Sequence, residues 1–376
     1  MNILLEGMFY SGHGFAEGNR MLLRFLHQAG HRVRIAAKDG KDRDLVLGAE
    51  EADAIAAFEE TELDSRDLYL CNMVGTEVKH NPDYRFSIVR TTFETDRIPE
   101  EWVPELNKFD EVWVQCEFNR RTFVTSGVTV PLRLMPNFFD LDRFVPQGDK
   151  LKLPIAHSFK FLSVFDMQLR KGYDLLLEAY YAEFSQRDDA ALILKVRDPE
   201  PVHKLTSLIE RYTATGVELP AVYLIDQMLR EEELLGLYRT CDAFVLPTRG
   251  EGWGRPFFEA MLMEKATIGT NWSGQTEFMH PGNSYLIEVE RLVRIEAHEN
   301  PIFNGHCWAE ASVSDLRTIM RRVYKRREEA AEKGRRARSE LLARYGMVKV
   351  ARQIDEELDK YVRQLERRGA ADEHLT

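Results

Sequence analysis

Short apolar runs alternate with stretches of helical spacing along most of the chain. Asn2 to Glu6 reads as a strand, Gly7 to Gly18 as a loop with four glycines, and the next stretch as a helix burying Met21, Leu22, Phe25 and Leu26. A second strand follows at Arg32 to Ala36, which completes a βαβ opening. Further strands read at Leu68 to Met73, Phe86 to Thr92, Glu111 to Gln115 and Leu132 to Leu134, with helices such as Glu100 to Lys108 and Asn119 to Thr125 between them. Strands that alternate with helices and are themselves apolar throughout predict a parallel sheet covered on both faces.

Around Asn137 to Pro154 the pattern weakens into polar, proline-bearing sequence, and a linker is expected there. A second series then begins: strand Lys160 to Phe165, helix Tyr173 to Phe184, strand Ala191 to Val196, helix Val202 to Tyr212, strand Val222 to Asp226, helix Glu231 to Arg239, strand Ala243 to Leu246. After strands at Ala266 to Thr270 and Ser284 to Glu288, residues Val289 to His306 read as an irregular insert, either a loop with a specific contact or a flexible excursion. From Asp315 to about Arg368 the chain is helical, with acid-base pairs four residues apart. Its basic clusters, Arg321-Arg322, Lys325-Arg326-Arg327 and Arg335-Arg336, suit a solvated helix face, and peripheral contact with anionic lipid is the rival reading. The expectation is an α/β chain of two doubly wound, Rossmann-like domains, 1–150 and 151–345, with ligands beyond the carboxyl ends of the strands.

Composition narrows this picture. A chain of 376 residues, 44% hydrophobic and 30% charged, has enough apolar sequence for two or three ordinary domains. A formal net charge of −11 argues against general nucleic-acid binding, which needs a basic face. No apolar run is long enough to span a membrane, and Met1-Asn2-Ile3-Leu4-Leu5-Glu6 lacks the basic flank of a secretory signal, so a cytoplasmic location is expected. Cys71, Cys116, Cys241 and Cys307 are widely spaced and form no C-x-x-C pair, which predicts reduced and mostly buried thiols.

The candidate chemistry gathers at Thr248-Arg249-Gly250-Glu251-Gly252-Trp253-Gly254-Arg255-Pro256-Phe257-Phe258-Glu259-Ala260-Met261. This is strand, glycine turn, helix, with Pro256 expected at the first helical position. Free N–H groups and the positive end of such a helix favour an anion, above all a phosphate, and Gly252 and Gly254 let the backbone approach it. An acid, Glu251, beside a phosphate site is repulsive unless it accepts hydrogen bonds from hydroxyl groups. A sugar nucleotide carries both. Glu259, eight positions on, reads equally as a hydroxyl ligand or as a complement to the helix dipole. After the strand ending at Phe165, Arg170-Lys171-Gly172 supplies a planar fork and a point charge suited to a diphosphate. Two Asp-x-Asp strings, Asp42-Arg43-Asp44 and Asp140-Leu141-Asp142, do not follow apolar strands as a metal site would require, so no metal is expected.

With the preceding strand, both glycines and Glu-Ala-Met, the Glu251 and Glu259 pair resembles the E-x7-E motif of glycosyltransferase family 4, or group 1, the retaining GT-B enzymes. The resemblance implies two facing Rossmann-like domains, the acceptor held mainly by the first, and a last segment, 346–376, that packs back on the N-terminal domain. It implies a donor bound by the second domain through Gly252, Trp253, Gly254, Arg255 and Glu259, with Lys171 and Arg170 clamping the diphosphate. The loop containing Gly12 and Gly14 would face that diphosphate, and Gln227 would lie near the base. Glu94 stands where many members carry a histidine near the sugar, and Glu251, Lys171, Arg170 and Glu94 are the catalytic candidates. Phe138, in Pro136-Asn137-Phe138-Phe139-Asp140, replaces a family glycine and reads as structural. The implied activity is metal-independent transfer, with retention and with no cofactor, from a nucleotide-diphosphate sugar to a glycan, lipid-linked glycan or small-molecule hydroxyl. A nucleotide-sugar epimerase of the same fold and a non-catalytic sugar-nucleotide-binding protein are the alternatives.

Overall fold

In the first half of the chain the strand and helix alternation becomes β1 (Asn2–Gly7), α1 (Gly14–Gln28), β2 (Arg32–Ala37), α2 (Ala49–Ala56), β3 (Leu68–Asn72), β4 (Phe86–Arg90), α3 (Val103–Leu106), β5 (Glu111–Val114), α4 (Glu117–Thr125) and β6 (Leu132–Leu134). The structure is a computed structural model and describes residues 1–12, 14–40, 47–196, 202–214, 218–298 and 300–373. Six strands form one sheet in the order β2-β1-β3-β4-β5-β6, every pair parallel. The central β3, β4 and β5 are buried at every residue, whereas β2 and β6 at the two edges are partly exposed. Helix α2 has no counterpart in the sequence reading because only Ala52 and Ile55 of its eight residues are buried, too few to mark a period. Glu100 to Lys108, expected as one helix, divides into a 3-10 turn and the four-residue α3, which carries Pro104 at its start.

The second series is β7 (Phe159–Phe165), α5 (Tyr173–Glu183), β8 (Ala190–Val196), α6 (Val202–Thr213), β9 (Ala221–Ile225), α7 (Glu231–Thr240), β10 (Ala243–Leu246), α8 (Arg255–Leu262), β11 (Ala266–Thr270), β12 (Tyr285–Ile287), β13 (Val289–Arg294), β14 (Cys307–Ala311), α9 (Val313–Lys325), α10 (Arg327–Tyr345) and α11 (Met347–Glu373). Its six-stranded parallel sheet runs β12-β11-β10-β7-β8-β9. Two such sheets are the two Rossmann-like domains of the GT-B fold. Residues 289–306, expected as an irregular insert, open with β13, which pairs antiparallel with β14, and a 3-10 turn at Pro301–Phe303 lies between the two strands. The alternation of β13 was hidden by Glu290, Arg291 and Arg294, which leave it exposed or half-buried.

By contacts the chain divides into one unit of residues 1–93, 97–140 and 345–376 and a second of 94–96 and 141–344. In the first unit α11 lies on the N-terminal sheet: Val350, Ile354, Leu358 and Tyr361, spaced for one helix face, share a core with Ile3, Leu22, Val33 and Trp113. Lys360 fastens the same helix to the buried Glu111 at 2.5 Å. Phe138 fills this core against Phe25, and the guanidinium of Arg90 lies 4.4 Å over its ring while donating to the Pro136 carbonyl at 3.1 Å. The second unit's basic helices are tied into its own surface. Arg321 binds Glu183 and Asp188 and stacks on Phe184, Arg322 pairs with Glu329, and Arg335 with Glu332. Among the described residues, no helix is long and apolar enough to cross a membrane. Cys71, Cys116 and Cys241 are buried free thiols and Cys307 is half-buried; burial pushes Cys71 and Cys241 up to about 12.

Ile354 is fully buried, so Ile354→Ala should remove about 2–5 kcal/mol from the first unit. Urea unfolding checks this, and a loss below about 0.5 kcal/mol would mean that α11 is not part of that core.

Candidate active site

Between β7 and β10 the order of the second sheet reverses: from β7 the chain builds outward through β8 and β9, then returns to add β10 on the other side. A crevice opens at the carboxyl ends of such a strand pair, because the two following loops leave in opposite directions. Those loops are residues 166–172 and 247–254, and they hold the cationic pair and the glycine turn.

The two loops are fastened to each other. The N–H of Arg249 donates to the Arg170 carbonyl at 2.7 Å, and Thr248 Oγ1 donates to the same oxygen at 3.1 Å. Gly172 has φ +68°, and a Cβ there would lie 2.0 Å from the Pro247 carbonyl oxygen, so only glycine permits the approach. Arg249 completes the fastening with a fork to both oxygens of Asp174 at 2.8 Å, a bond to Glu310 at 2.8 Å, and one to the Leu169 carbonyl at 2.7 Å. Burial alone would lower its pKa, but Asp174 and Glu310 outweigh that and raise it. The sequence reading gave Arg249 no role within its motif and did not name Asp174 or Glu310. Asp174 in the first turn of α5 looks like an ordinary dipole complement, and nothing local marks Glu310.

Within this frame Lys171 Nζ donates to Glu251 Oε1 at 2.7 Å, Thr248 Oγ1 lies 3.1 Å from the same oxygen, and Arg170 lies 3.4 Å from Glu251 Oε2. Arg170 also donates to the Gly250 carbonyl and stands 3.5 Å from Glu94. The Glu251 N–H donates to Ser273 Oγ at 2.9 Å. Glu251, Lys171 and Arg170 are each 6–7% exposed. Glu251, read from the sequence as an acceptor for hydroxyl groups, is enclosed here by Lys171, Arg170 and Thr248. Burial pushes its pKa up, but the charges of Lys171 and then Arg170 outweigh burial and hold it below the usual carboxylate value. Burial likewise opposes the Arg170 charge, and Glu94 and then Glu251 raise its pKa in spite of it.

Helix α8 begins at Arg255, one residue before the expected start, with Gly254 as its N-cap at φ +93°. Glu259 therefore falls beyond the first turn, where the dipole reading loses most of its force. It is half-buried, 3.7 Å from Arg255 and 3.4 Å from the Tyr238 hydroxyl. The Trp253 side chain turns into the core against Phe258 and Phe278, so it adds only its backbone to the Gly252 to Gly254 turn. Gln227 is exposed on the turn after β9, at the far edge of the sheet from β10 and outside this cluster. Gly12 and Gly14 lie in the first unit, where Gly14 opens α1 and His13 lies outside the described residues. In that loop the N–H groups of Phe9, Tyr10 and Ser11 all donate to Asp39, at 2.6, 3.0 and 2.8 Å, so a phosphate would find those three already engaged.

Among the described residues, no three His, Cys, Asp or Glu side chains gather as a metal site. Asp42-Arg43-Asp44 lies outside the described residues, and Asp140 sits 3.7 Å from Arg24.

Known proteins resemble this chain in part of its sequence and in its fold. The family model described as "Glycosyl transferases group 1" matches residues 158–296, from the start of β7 to just beyond β13. The serotype-specific mannosyltransferase WbdA of Escherichia coli is 28% identical over 188 residues, which is 49% of this chain and 19% of WbdA, so the chain spans only about a fifth of that relative. Among solved structures, HepE of Anabaena in complex with UDP-glucose covers 96% of this chain and all of its own, at TM-score 0.65 and 16% identity. Sucrose-phosphate synthase from Thermosynechococcus elongatus covers 97% of this chain and 98% of its own, at TM-score 0.67 and 16% identity. At these identities the structural likeness concerns the fold.

Because its folded pKa is depressed, Glu251 contributes stability that is fully present above the unfolded value near 4.5 and is lost as pH falls through the folded one. Glu251→Gln should therefore be less stable at pH 7 and show a flatter acid limb when urea midpoints are followed from pH 7 to about 3. A variant with the wild-type acid limb would mean that Glu251 is not held as a buried carboxylate.

Proposed function

We propose that the chain, whose residues 158–296 match the group 1 glycosyl transferase family model, moves a sugar from a nucleotide-diphosphate sugar to an acceptor hydroxyl, with retention and without a metal ion. The observation that carries this reading is the enclosed Lys171, Arg170 and Glu251 cluster at the switch point of the second sheet. A buried ion pair is seldom the most stable filling for its space, since well-packed apolar residues often serve as well or better. Desolvated charges held at strand ends beside a glycine turn are what a charged ligand requires.

Lys171 and Arg170 pass from the Glu251 carboxylate to the donor diphosphate and stabilise the charge that grows on it as the sugar leaves. The released Glu251 oxygens accept hydrogen bonds from the sugar hydroxyls, Glu259 accepts from the ribose, and the N-terminal turn of α8 faces the phosphates. The turn bearing Gln227 issues from the same sheet and takes the base. On the front face of the sugar, the bond between the anomeric carbon and the phosphate oxygen breaks and the bond to the acceptor oxygen forms. The acceptor proton passes to the departing phosphate. The mannosyl transfer in WbdA's name and the UDP-glucose bound to HepE support a hexose nucleotide as donor. A nucleotide-sugar epimerase would consume donor without acceptor, and a silent binding protein would not consume it at all.

Activity should survive excess EDTA, and Lys171→Ala should lower turnover about a hundredfold or more, because one preorganised charge on a developing anion is typically worth ~3–4 kcal/mol. Loss of turnover in chelator with recovery in magnesium or manganese, or a wild-type rate for Lys171→Ala, would place the diphosphate stabilisation elsewhere.

The two glutamates divide by step. Glu259→Gln should weaken the bare nucleoside diphosphate, by up to ~1.5–3 kcal/mol for a charged hydrogen bond, with less effect on kcat. Glu251→Gln should lower kcat more than it raises donor KM, since misplacement at the reacting carbon costs rate. Calorimetry on nucleotide and sugar nucleotide separates the roles, and equal weakening of the bare nucleotide by both variants contradicts the division.

A further inference from the structure

The tripeptide Glu94–Asp96 follows β4 in the chain but belongs to the second unit. Its seat there is specific. A Cβ on Gly250 would lie 2.0 Å from the Glu94 carbonyl oxygen, so the tripeptide backbone rests directly on the turn before Glu251. The β13–β14 ribbon supplies the rest: Thr95 Oγ1 shares a 2.8 Å hydrogen bond with His306 Nδ1, and both residues are buried. The Asp96 N–H donates to the Cys307 carbonyl at 3.1 Å, and the Cys307 N–H donates to Asp96 Oδ1 at 2.6 Å. His306 is itself fixed, because its carbonyl accepts from Ile295 at 2.8 Å.

The Glu94 carboxylate thus held stands 3.5 Å from one terminal nitrogen of Arg170, which also lies 3.4 Å from Gln168 Oε1, while the other terminal nitrogen faces Gly250 and Glu251. Glu94 orients the guanidinium and contributes a negative charge to a cluster of two cations and two carboxylates. We infer that Glu94 is a positioning residue acting through Arg170, seated by Thr95 on His306, and that its charge keeps the nucleoside diphosphate product weakly bound so that it can leave. The inference rests on the sugar-transfer reading and adds a residue and a step to it.

Calorimetric titration of the whole chain with UDP, GDP and ADP in turn tests it. Glu94→Gln should bind whichever of these the wild type binds about tenfold more tightly, the scale of unit charges about 12 Å apart at an effective dielectric of about 20, and should show lower kcat with stronger product inhibition. Glu94→Asp keeps the charge and should bind within about threefold of wild type. Thr95→Val and His306→Ala should speed amide exchange at Asp96 and Cys307, tighten the nucleotide by less than Glu94→Gln, and add nothing in the Glu94→Gln background. Unchanged or weaker binding by Glu94→Gln, tightening by Glu94→Asp as large as by Glu94→Gln, or fully additive effects of Thr95→Val would overturn the inference alone. A wild type that binds none of the three nucleotides would overturn the sugar-transfer reading with it.

Discussion

The Glu251 carboxylate, buried between Lys171 and Arg170, is the constraint on which the second domain's active edge depends. Taking these charges from water is unfavourable by several kcal/mol per ion, and close opposed partners with full hydrogen bonding are needed to offset it. That requirement explains features that would otherwise look unrelated. Gly172 and Gly250 are glycines because a Cβ at either position would lie 2.0 Å from a backbone carbonyl oxygen, of Pro247 and of Glu94 respectively. Arg249 spans the two loops because a small shift of either would leave a charge enclosed without its partner.

Buried arginines in the two units are compensated in different ways, and their acidities follow. Arg90, in the first unit, bonds to the Asn72 and Asn137 side-chain oxygens and the Pro136 carbonyl, and burial lowers its pKa to about 9. Arg170 and Arg249, as buried in effect, have carboxylates beside them, and their pKa values rise. Dipoles suffice to hold a loop against a core. At the switch point of the second sheet, where the proposed chemistry needs charge, full counter-charges are present.

The ribbon of β13 and β14 gives the same region a second anchor. Its strand pairing brings Glu310 to Arg249 and His306 to Thr95, so one short antiparallel pair touches both the fastening of the loops and the seat of Glu94.

What the sequence by itself determined was whatever a local period encodes. β6, β10 and β11 begin and end where their apolar runs do, most other strands fall within a residue or two of theirs, and the strand, glycine turn and helix around Glu251 are legible because propensity, pattern and turn chemistry agree there. The residue types at Arg170, Lys171 and Glu251 were likewise readable as chemistry. Their mutual pairing was not, because residues 80 apart meet only when β10 inserts beside β7. Tertiary structure alone decided that Glu251 is enclosed, that Trp253 turns into the core, that Asp39 takes the amides of the first glycine loop, and that a ribbon with weak alternation supports Glu94. Each is a long-range contact between side chains whose neighbours in sequence carry no sign of it. Burial and pairing belong to the packed sheet, and no window of sequence contains them.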